Sequence, residues 1–365
     1  MIRLSKPIFN KKIIKVISEI LDSGNLVNGP ISKQFEHNLN NYFKTKNSIV
    51  VSSGTAALHL ALISLGITKE DEVIVPAFSY IATANVVENV GAKPVFVDIN
   101  LNQLCMNLDE VRKKINHNTK AIIVVHEFGN MCDLEELSKI CKKNRIKLIE
   151  DAACSFGSKY NNKLTGLFGD ISCFSLHPRK ILTSSEGGII VTNKMKYFNF
   201  IKSYKNHGQI IKNHNIQFNL PGLNYRLSEI QSALGIEQLS TIKNKISYRR
   251  KIAKIYDSYF SNNENIKITK ELKKSFSNYQ SYHILLKNHS TRNKLKKFLF
   301  HNKIESNVGA QAIPLQEYYK KKYKIKHNDF PNAIKVFKNG LVIPIGEHIS
   351  IEQTNMIAKK INSFF

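Results

Sequence analysis

Three short stretches of this chain hold residues whose types and spacing could do chemistry. The first is "VVSSGTAALHLALISLG", residues 50–66, where two serines and Gly54 lead straight into an apolar helical pattern. Amides at a helix start have no intrahelical acceptor, so with the Thr55 hydroxyl they would seat a phosphate. The same residues also read as simple helix capping. The second is "IKLIEDAACSFGS", residues 146–158, an apolar run that ends in Glu150 and Asp151. Proteins with parallel sheets place ligands at the carboxyl ends of strands, and an ionised carboxylate there needs a cation or a strong donor. Asp151 would alternatively cap a following helix. The third is "CFSLHPRKILTSSEGGIIVT", residues 173–192, which sets His177, Pro178, Arg179 and Lys180 side by side between two strand-like runs. A lysine in a partly dry pocket has a lowered pKa and acts as an amine nucleophile toward carbonyls; a lysine after an arginine also reads as surface.

Each stretch alone is weak, but the set is informative. A phosphate seat, a strand-end Asp and a strand-end Lys about thirty residues later match the needs of pyridoxal phosphate, which wants its phosphate cradled, its ring nitrogen paired with an acid and its aldehyde bound by an amine.

These residues need a scaffold, and the patterning supplies one. "DEVIVPAF", "KPVFVDI", "AIIVVHEF", "IKLIED", "DISCFSL" and "GGIIVT" read as short buried strands. "DLEELSKICKKN" places Leu134, Leu137, Ile140 and Cys141 at helical spacing behind Asp133 as N-cap, and "ISKQFEHNLNNYF" repeats Ile31, Phe35, Leu39 and Phe43 every fourth residue. Continuous apolar strands between amphipathic helices imply an α/β fold with a mostly parallel sheet covered on both faces. Beyond about residue 240 the texture changes to long basic helices, "IKNKISYRRKIAKIYDSYF" and "STRNKLKKFLFHNK", with the strands "SYHILLKN" and "GLVIPI" among them. The expected division is a large domain, 1–240, and a smaller C-terminal α+β domain, 241–365.

Composition narrows the classes. The 365 residues carry a net charge of +26, of which +17 lies in residues 241–365, with 25 Lys and Arg against 8 Asp and Glu. Such charge would suit nucleic acid, an anionic membrane or a phosphorylated substrate. Lys, Asn and Ile are abundant throughout, however, and no aromatic-basic interleaving accompanies the charge. Runs such as residues 320–327 therefore read as solvated surface, with no nucleic acid or membrane expected as partner. The five cysteines form no CxxC and no zinc-ligand spacing, so reduced thiols and no metal are expected. The first twenty residues hold no apolar core of signal-peptide length, and the longest apolar run, residues 56–67, is too short for a bilayer. A cytoplasmic location is the expectation.

Along nearly its whole length the sequence resembles the DegT-like nucleotide-sugar aminotransferases, a branch of the fold-type-I pyridoxal-phosphate enzymes. The resemblance rests on "SGNLVNGPISKQFE", "SSGTAALHLAL", "VIVPAFSYIATANVV", "GAKPVFVDI", "IEDAACSFGSKY", "FGDISCFSLHPRK", "SEGGIIVT", "NHG" and "GLNYRLSEIQSALG", in that order. It implies a seven-stranded large-domain sheet. It also implies that Lys180 is the Schiff-base lysine and proton carrier, and that Asp151 pairs with the pyridine nitrogen. Gly54, Thr55 and Ser175 would hold the phosphate, Tyr80 would stack on the ring, and His177 would lie near the lysine with a structural, substrate-orienting or catalytic part. Asn224 would reach the phosphate of a neighbouring subunit, making a homodimer with shared active sites.

Three positions depart from the family pattern. Cys154 stands where many members carry Gln or His, Ser185 replaces the first glycine of "TGEGG", and "AQAIPLQEYY", residues 310–319, lacks the His-bearing segment common there. The implied activity moves an amino group from L-glutamate to a keto-sugar linked to a nucleotide, a 4-keto-6-deoxy sugar by family habit, for amino-sugar and surface-glycan biosynthesis. A 3-keto substrate is the alternative inside the family. The related sugar dehydrases carry His where this chain has Lys180, and a non-catalytic nucleic-acid-binding protein would leave Asp151, Ser175 and Lys180 unexplained as a set.

Overall fold

The computed structural model describes residues 1–326 and 328–365; the last residue of the basic run at 320–327 lies outside them. Seven strands form the central sheet: β1 (Ser48–Val51), β2 (Glu72–Pro76), β3 (Lys93–Val97), β4 (Thr119–Val125), β5 (Lys147–Asp151), β6 (Ile171–Ser175) and β7 (Gly188–Val191). Their spatial order is β1-β7-β6-β5-β4-β2-β3. Neighbours from β6 through β3 pair in parallel, and β7 runs antiparallel to both β6 and β1. Six of these strands follow the apolar runs read from sequence. The seventh, β1, precedes the Ser-Ser-Gly-Thr stretch.

Both faces of the sheet are buried, which is why its strands are apolar without alternation. Ala121 and Ile123 of β4 join one core with Leu58 and Leu62, while Ile122 and Val124 join another with Leu134, Leu137 and Ile140. Helix α1 (Pro30–Phe43) contributes Phe35, Leu39 and Phe43 to a third cluster with Val50, Phe174 and Ile189. Helix α2 (Gly54–Ser64) is apolar on nearly every side because it is packed between elements. Helix α3 (Leu134–Asn144) starts where expected, with the Asp133 carboxylate accepting from the Glu136 amide at 2.9 Å.

Beyond residue 241, helices α4 (Ile242–Phe260), α5 (His289–His301) and α6 (Ile351–Asn362) cover a three-stranded antiparallel sheet of β8 (Ile266–Ile268), β9 (Tyr282–Leu286) and β10 (Gly340–Ile343). Their apolar faces form a separate core around Tyr256, Phe260, Ile284, Leu299, Leu341 and Ile357. Parallel strands joined by right-handed crossovers aim their carboxyl ends at one edge of the main sheet. At that edge stand Asp151, Ser175 and the residues after β1 and β4. No helix among the described residues is long and apolar enough to cross a membrane.

Candidate active site

Ser53 caps α2, its hydroxyl accepting from the Ala56 amide at 3.0 Å. Among the described residues the amides of Gly54 and Thr55 have no acceptor, and the Thr55 side chain is exposed. Gly54 lies so close to the end of β6 that a Cβ there would sit 2.8 Å from the Ser175 Cβ. Only glycine allows that approach. The result is a concave group of two free amides and two hydroxyls at the positive end of a helix, suited to a phosphate.

Asp151, the last residue of β5, is 5 % exposed. It caps no helix: the chain runs on through turns. One carboxylate oxygen accepts from the Thr83 hydroxyl at 2.8 Å, and the other takes a longer bond from the Ala153 amide at 3.3 Å. Burial pushes the carboxyl up, and the Thr83 hydroxyl, the Ala153 amide and the charge of Lys180 pull against it. Its neighbour Glu150 points the other way, to a structural task. Its carboxylate accepts from the Gly166, Phe168 and Gly169 amides, the Ser172 hydroxyl and the buried His126 ring, all within 3.0 Å.

Lys180 lies in the turn after β6, its amide bonded to the His177 carbonyl at 2.8 Å. Its ammonium donates to the Cys154 sulfur at 3.0 Å. Cys154 in turn stands 4.0 Å from Oε1 of Glu127, a residue just past β4 and 5 % exposed. Burial works against the Lys180 charge, but Cys154, Glu127 and Asp151 outweigh it and hold the ammonium above the ordinary lysine range. The depressed lysine pKa expected from sequence is therefore not what these surroundings produce. Burial pushes Glu127 up to about 7, with Lys180 opposing and Asp151 adding to the rise. A cavity of about 110 Å3 beside this trio is also lined by Phe128, Gln280 and Gly309.

His177 is half-buried, its Nδ1 accepting from the Arg179 amide at 3.2 Å and its Nε2 3.9 Å from Glu186. Burial lowers its pKa, as do Lys180 and Arg179, against the pull of Glu186. Tyr80 is brought to the same edge of the sheet but not into the trio. It is 67 % exposed and lines a second cavity, of about 660 Å3, with Asn85, Gln311, Gln316 and Tyr318. The strand Gln311–Ala312 pairs with Phe78–Ser79, which puts the unusual 310–319 segment beside Tyr80. Asn224 is exposed and bridged to Asn206, and the carbonyl of the next residue, Tyr225, accepts from the Ser52 amide at 2.9 Å. Ser185 adopts φ +75°, the left-handed conformation that favours glycine.

Three participants escaped the sequence reading. Glu127 is the next-to-last residue of "AIIVVHEF", and a carboxylate just after a buried strand was a usable signal. Thr83 and Gln280 gave none. Gln280 braces the lysine turn from the other end of the chain, its carbonyl oxygen accepting from the Ile181 amide at 2.9 Å and its Nε2 donating to the Arg179 carbonyl at 2.7 Å.

Free amides, a buried acid held by a hydroxyl and a lysine at the same sheet edge are the donor set that pyridoxal phosphate needs. Fold and site together define a fold-type-I pyridoxal-phosphate-dependent enzyme. The chain belongs to the DegT/DnrJ/EryC1/StrS aminotransferase family, whose model matches residues 7–362. It is 35 % identical over 361 residues to the GDP-perosamine synthase of Escherichia coli O157:H7, covering 99 % of this chain and 97 % of that one. The GDP-perosamine synthase of Vibrio cholerae is 33 % identical, covering 100 % and 99 %. Among solved structures, the Helicobacter pylori aminotransferase PseC, involved in the biosynthesis of pseudoaminic acid, superposes with a TM-score of 0.94 at 28 % identity, covering 100 % of this chain and 99 % of that one. Spr1654 from Streptococcus pneumoniae, assigned as a sugar aminotransferase and solved in its PMP form, gives 0.95 at 27 % identity, covering 100 % and 99 %. The protein is a pyridoxal-phosphate-dependent sugar aminotransferase.

Proposed function

We propose that the enzyme takes the amino group of L-glutamate and delivers it to a GDP-linked keto-sugar, a 4-keto-6-deoxy sugar, working as a homodimer. The observation that carries the reaction is the placement of Lys180, Asp151 and the open start of α2 at one edge of the sheet. The nucleotide follows the relatives named GDP-perosamine synthase, which match the chain end to end.

Bound pyridoxal phosphate supplies an aldehyde to carry the amino group and a ring to store the electron pair left when the donor Cα loses its proton. The protein does the rest. Gly54, Thr55 and Ser175 hold the phosphate. Asp151, kept in place by Thr83, holds a proton at the ring nitrogen. Lys180 would take the proton from the donor Cα and return it in the second half of the reaction, as a general base and then a general acid. Tyr80 covers the ring, and the cavity it shares with Gln311 and Tyr318 admits the sugar nucleotide. His177 orients the substrate at the mouth of the lysine turn. Asn224 reaches the phosphate of the partner's site.

The test is spectroscopic and catalytic. Purified protein is expected to be yellow, to bleach on adding glutamate, and to regain colour only with a keto-sugar nucleotide that accepts the amine. A panel of GDP-, UDP- and dTDP-linked 3-keto and 4-keto sugars with labelled glutamate reads nucleotide and position together. Lys180→Ala should abolish cycling; a variant that still moved amine from glutamate would overturn the mechanism.

A further inference from the structure

Away from Lys180, a cleft of about 800 Å3 opens between the end of α1, the turn region 157–164 and one face of α4. Its walls are basic. Lys243, Arg250, Lys251 and Lys254 recur at helical spacing along α4, with Lys44 and Lys159 opposite. Its floor is apolar, formed by Tyr42, Ile246 and Phe276. Among the described residues no Asp or Glu lines it.

Arg250 is already committed. Its guanidinium bonds Glu271 at 2.8 and 3.2 Å and the Ser277 carbonyl at 2.7 Å, and it lies 4.0 Å over the Phe276 ring. The five lysines are not. None is within ion-pair distance of a carboxylate among the described residues, although Lys251 feels Glu352 through space. Ammonium groups gathered on one concave surface repel one another, and an anion between them relieves that repulsion.

We propose that this cleft binds a nucleoside di- or triphosphate and that its occupancy is felt at Lys180. The lysines supply point charges for two or more phosphates. The aromatic floor supplies a face for a base, and the volume falls in the range of small-molecule sites.

The link to the active site is a short run of hydrogen bonds. Arg250 grips the Ser277 carbonyl, and the next residue, Asn278, bonds the Ser158 hydroxyl at 2.9 Å and the Phe156 carbonyl at 3.0 Å. Those two belong to the turns that follow Asp151 and carry Cys154. The Asn278 side chain also accepts from the Gln280 amide at 2.8 Å, and Gln280 braces Arg179 and Ile181 on either side of Lys180. On the cleft side, Tyr42 stacks on Phe156 with centroids 5.0 Å apart.

The experiment titrates the holoenzyme with ATP, pyrophosphate and a short single-stranded oligonucleotide, following heat and the cofactor's visible absorption. ATP is used so that the result does not depend on which sugar nucleotide the catalytic site takes. The expected result is one saturable ATP site per chain, weaker binding of pyrophosphate, and an absorption change that saturates with the heat. The triple variant Lys243→Glu, Lys251→Glu, Lys254→Glu should weaken ATP at least tenfold and lose the absorption change. The milder Lys243→Gln, Lys251→Gln, Lys254→Gln variant should weaken it several-fold, which guards against misfolding of the charge reversal. The proposal is overturned by ATP affinity unchanged in both variants, by no saturable binding to the wild type, or by oligonucleotide binding that ATP fails to displace. Saturable binding with a silent absorption spectrum would overturn the coupling to Lys180.

Discussion

Lys180, Cys154 and Glu127 form a line of three ionisable groups in which each alters the next. An ammonium 3.0 Å from a thiol and near two buried carboxylates is a stable place for a proton. It is a poor place for a free amine. Glu127 bears the cost. Its carboxyl, ordinarily near 4.5, is pushed up to about 7 by burial. A carboxyl whose folded pKa is raised favours the folded state at low pH. That contribution is whole below about 4.5 and is lost as pH rises through about 7. Glu127→Gln should therefore leave stability unchanged near pH 4 and raise it at pH 8, by on the order of 3 kcal/mol. Thermal melts across that range check it, and equal pH slopes for the two proteins would refute it. Thr83 acts on Asp151 in the opposite sense, lowering a pKa that burial raises. Thr83→Val removes the 2.8 Å bond and should cost about tenfold in kcat/KM, from the loss of one hydrogen bond to a buried charged group. The acid limb of the pH profile should move upward, because Asp151 must be ionised to act. A loss without that shift would mean a packing defect instead.

At the scale of elements, the site is made by ends: the start of α2 and the carboxyl ends of β4, β5 and β6. Strand pairing fixes the ends of β5 and β6 in register, with Asp151 opposite Cys173. Gly54 then lets α2 close on Ser175. The turn that returns the chain from Lys180 to β7 is held less comfortably. Ser185 takes a positive φ of 75°, supported by its amide bond to the Thr183 hydroxyl at 3.1 Å. A non-glycine residue in that region costs roughly 1 kcal/mol, part of which glycine forfeits through its freer unfolded chain. Ser185→Gly should be stabilising by up to about 1 kcal/mol in urea unfolding. A destabilised variant would show that the side chain, not the backbone, matters there.

For the whole molecule, the decisive prediction is shared active sites. Lys180→Ala and Asn224→Asp should each be inactive, the second because in the proposed homodimer it would set a carboxylate against the neighbour's phosphate. Mixing the unfolded variants in equal amounts and refolding them gives half heterodimers, each with one intact site. Activity should return to about a quarter of wild type. No recovery, with heterodimers confirmed by mass, would put Asn224 outside the site.

Much of this was legible in the sequence because it is local. Apolar runs gave six strands of the central sheet, helical spacing gave α3, and Lys180, Asp151 and Gly54 lie inside stretches whose patterns mark strand ends and a helix start. The family resemblance implied a cofactor site at those positions, and the fold brings them to one edge of the sheet. Only the tertiary structure could show that Asp151 caps no helix, that Lys180 is held charged rather than depressed, and that Tyr80 opens on a separate cavity. Nor could the sequence bring Thr83 and Gln280 to the site. Those contacts join residues far apart in the chain, and their effects depend on burial and distance, which no local pattern encodes.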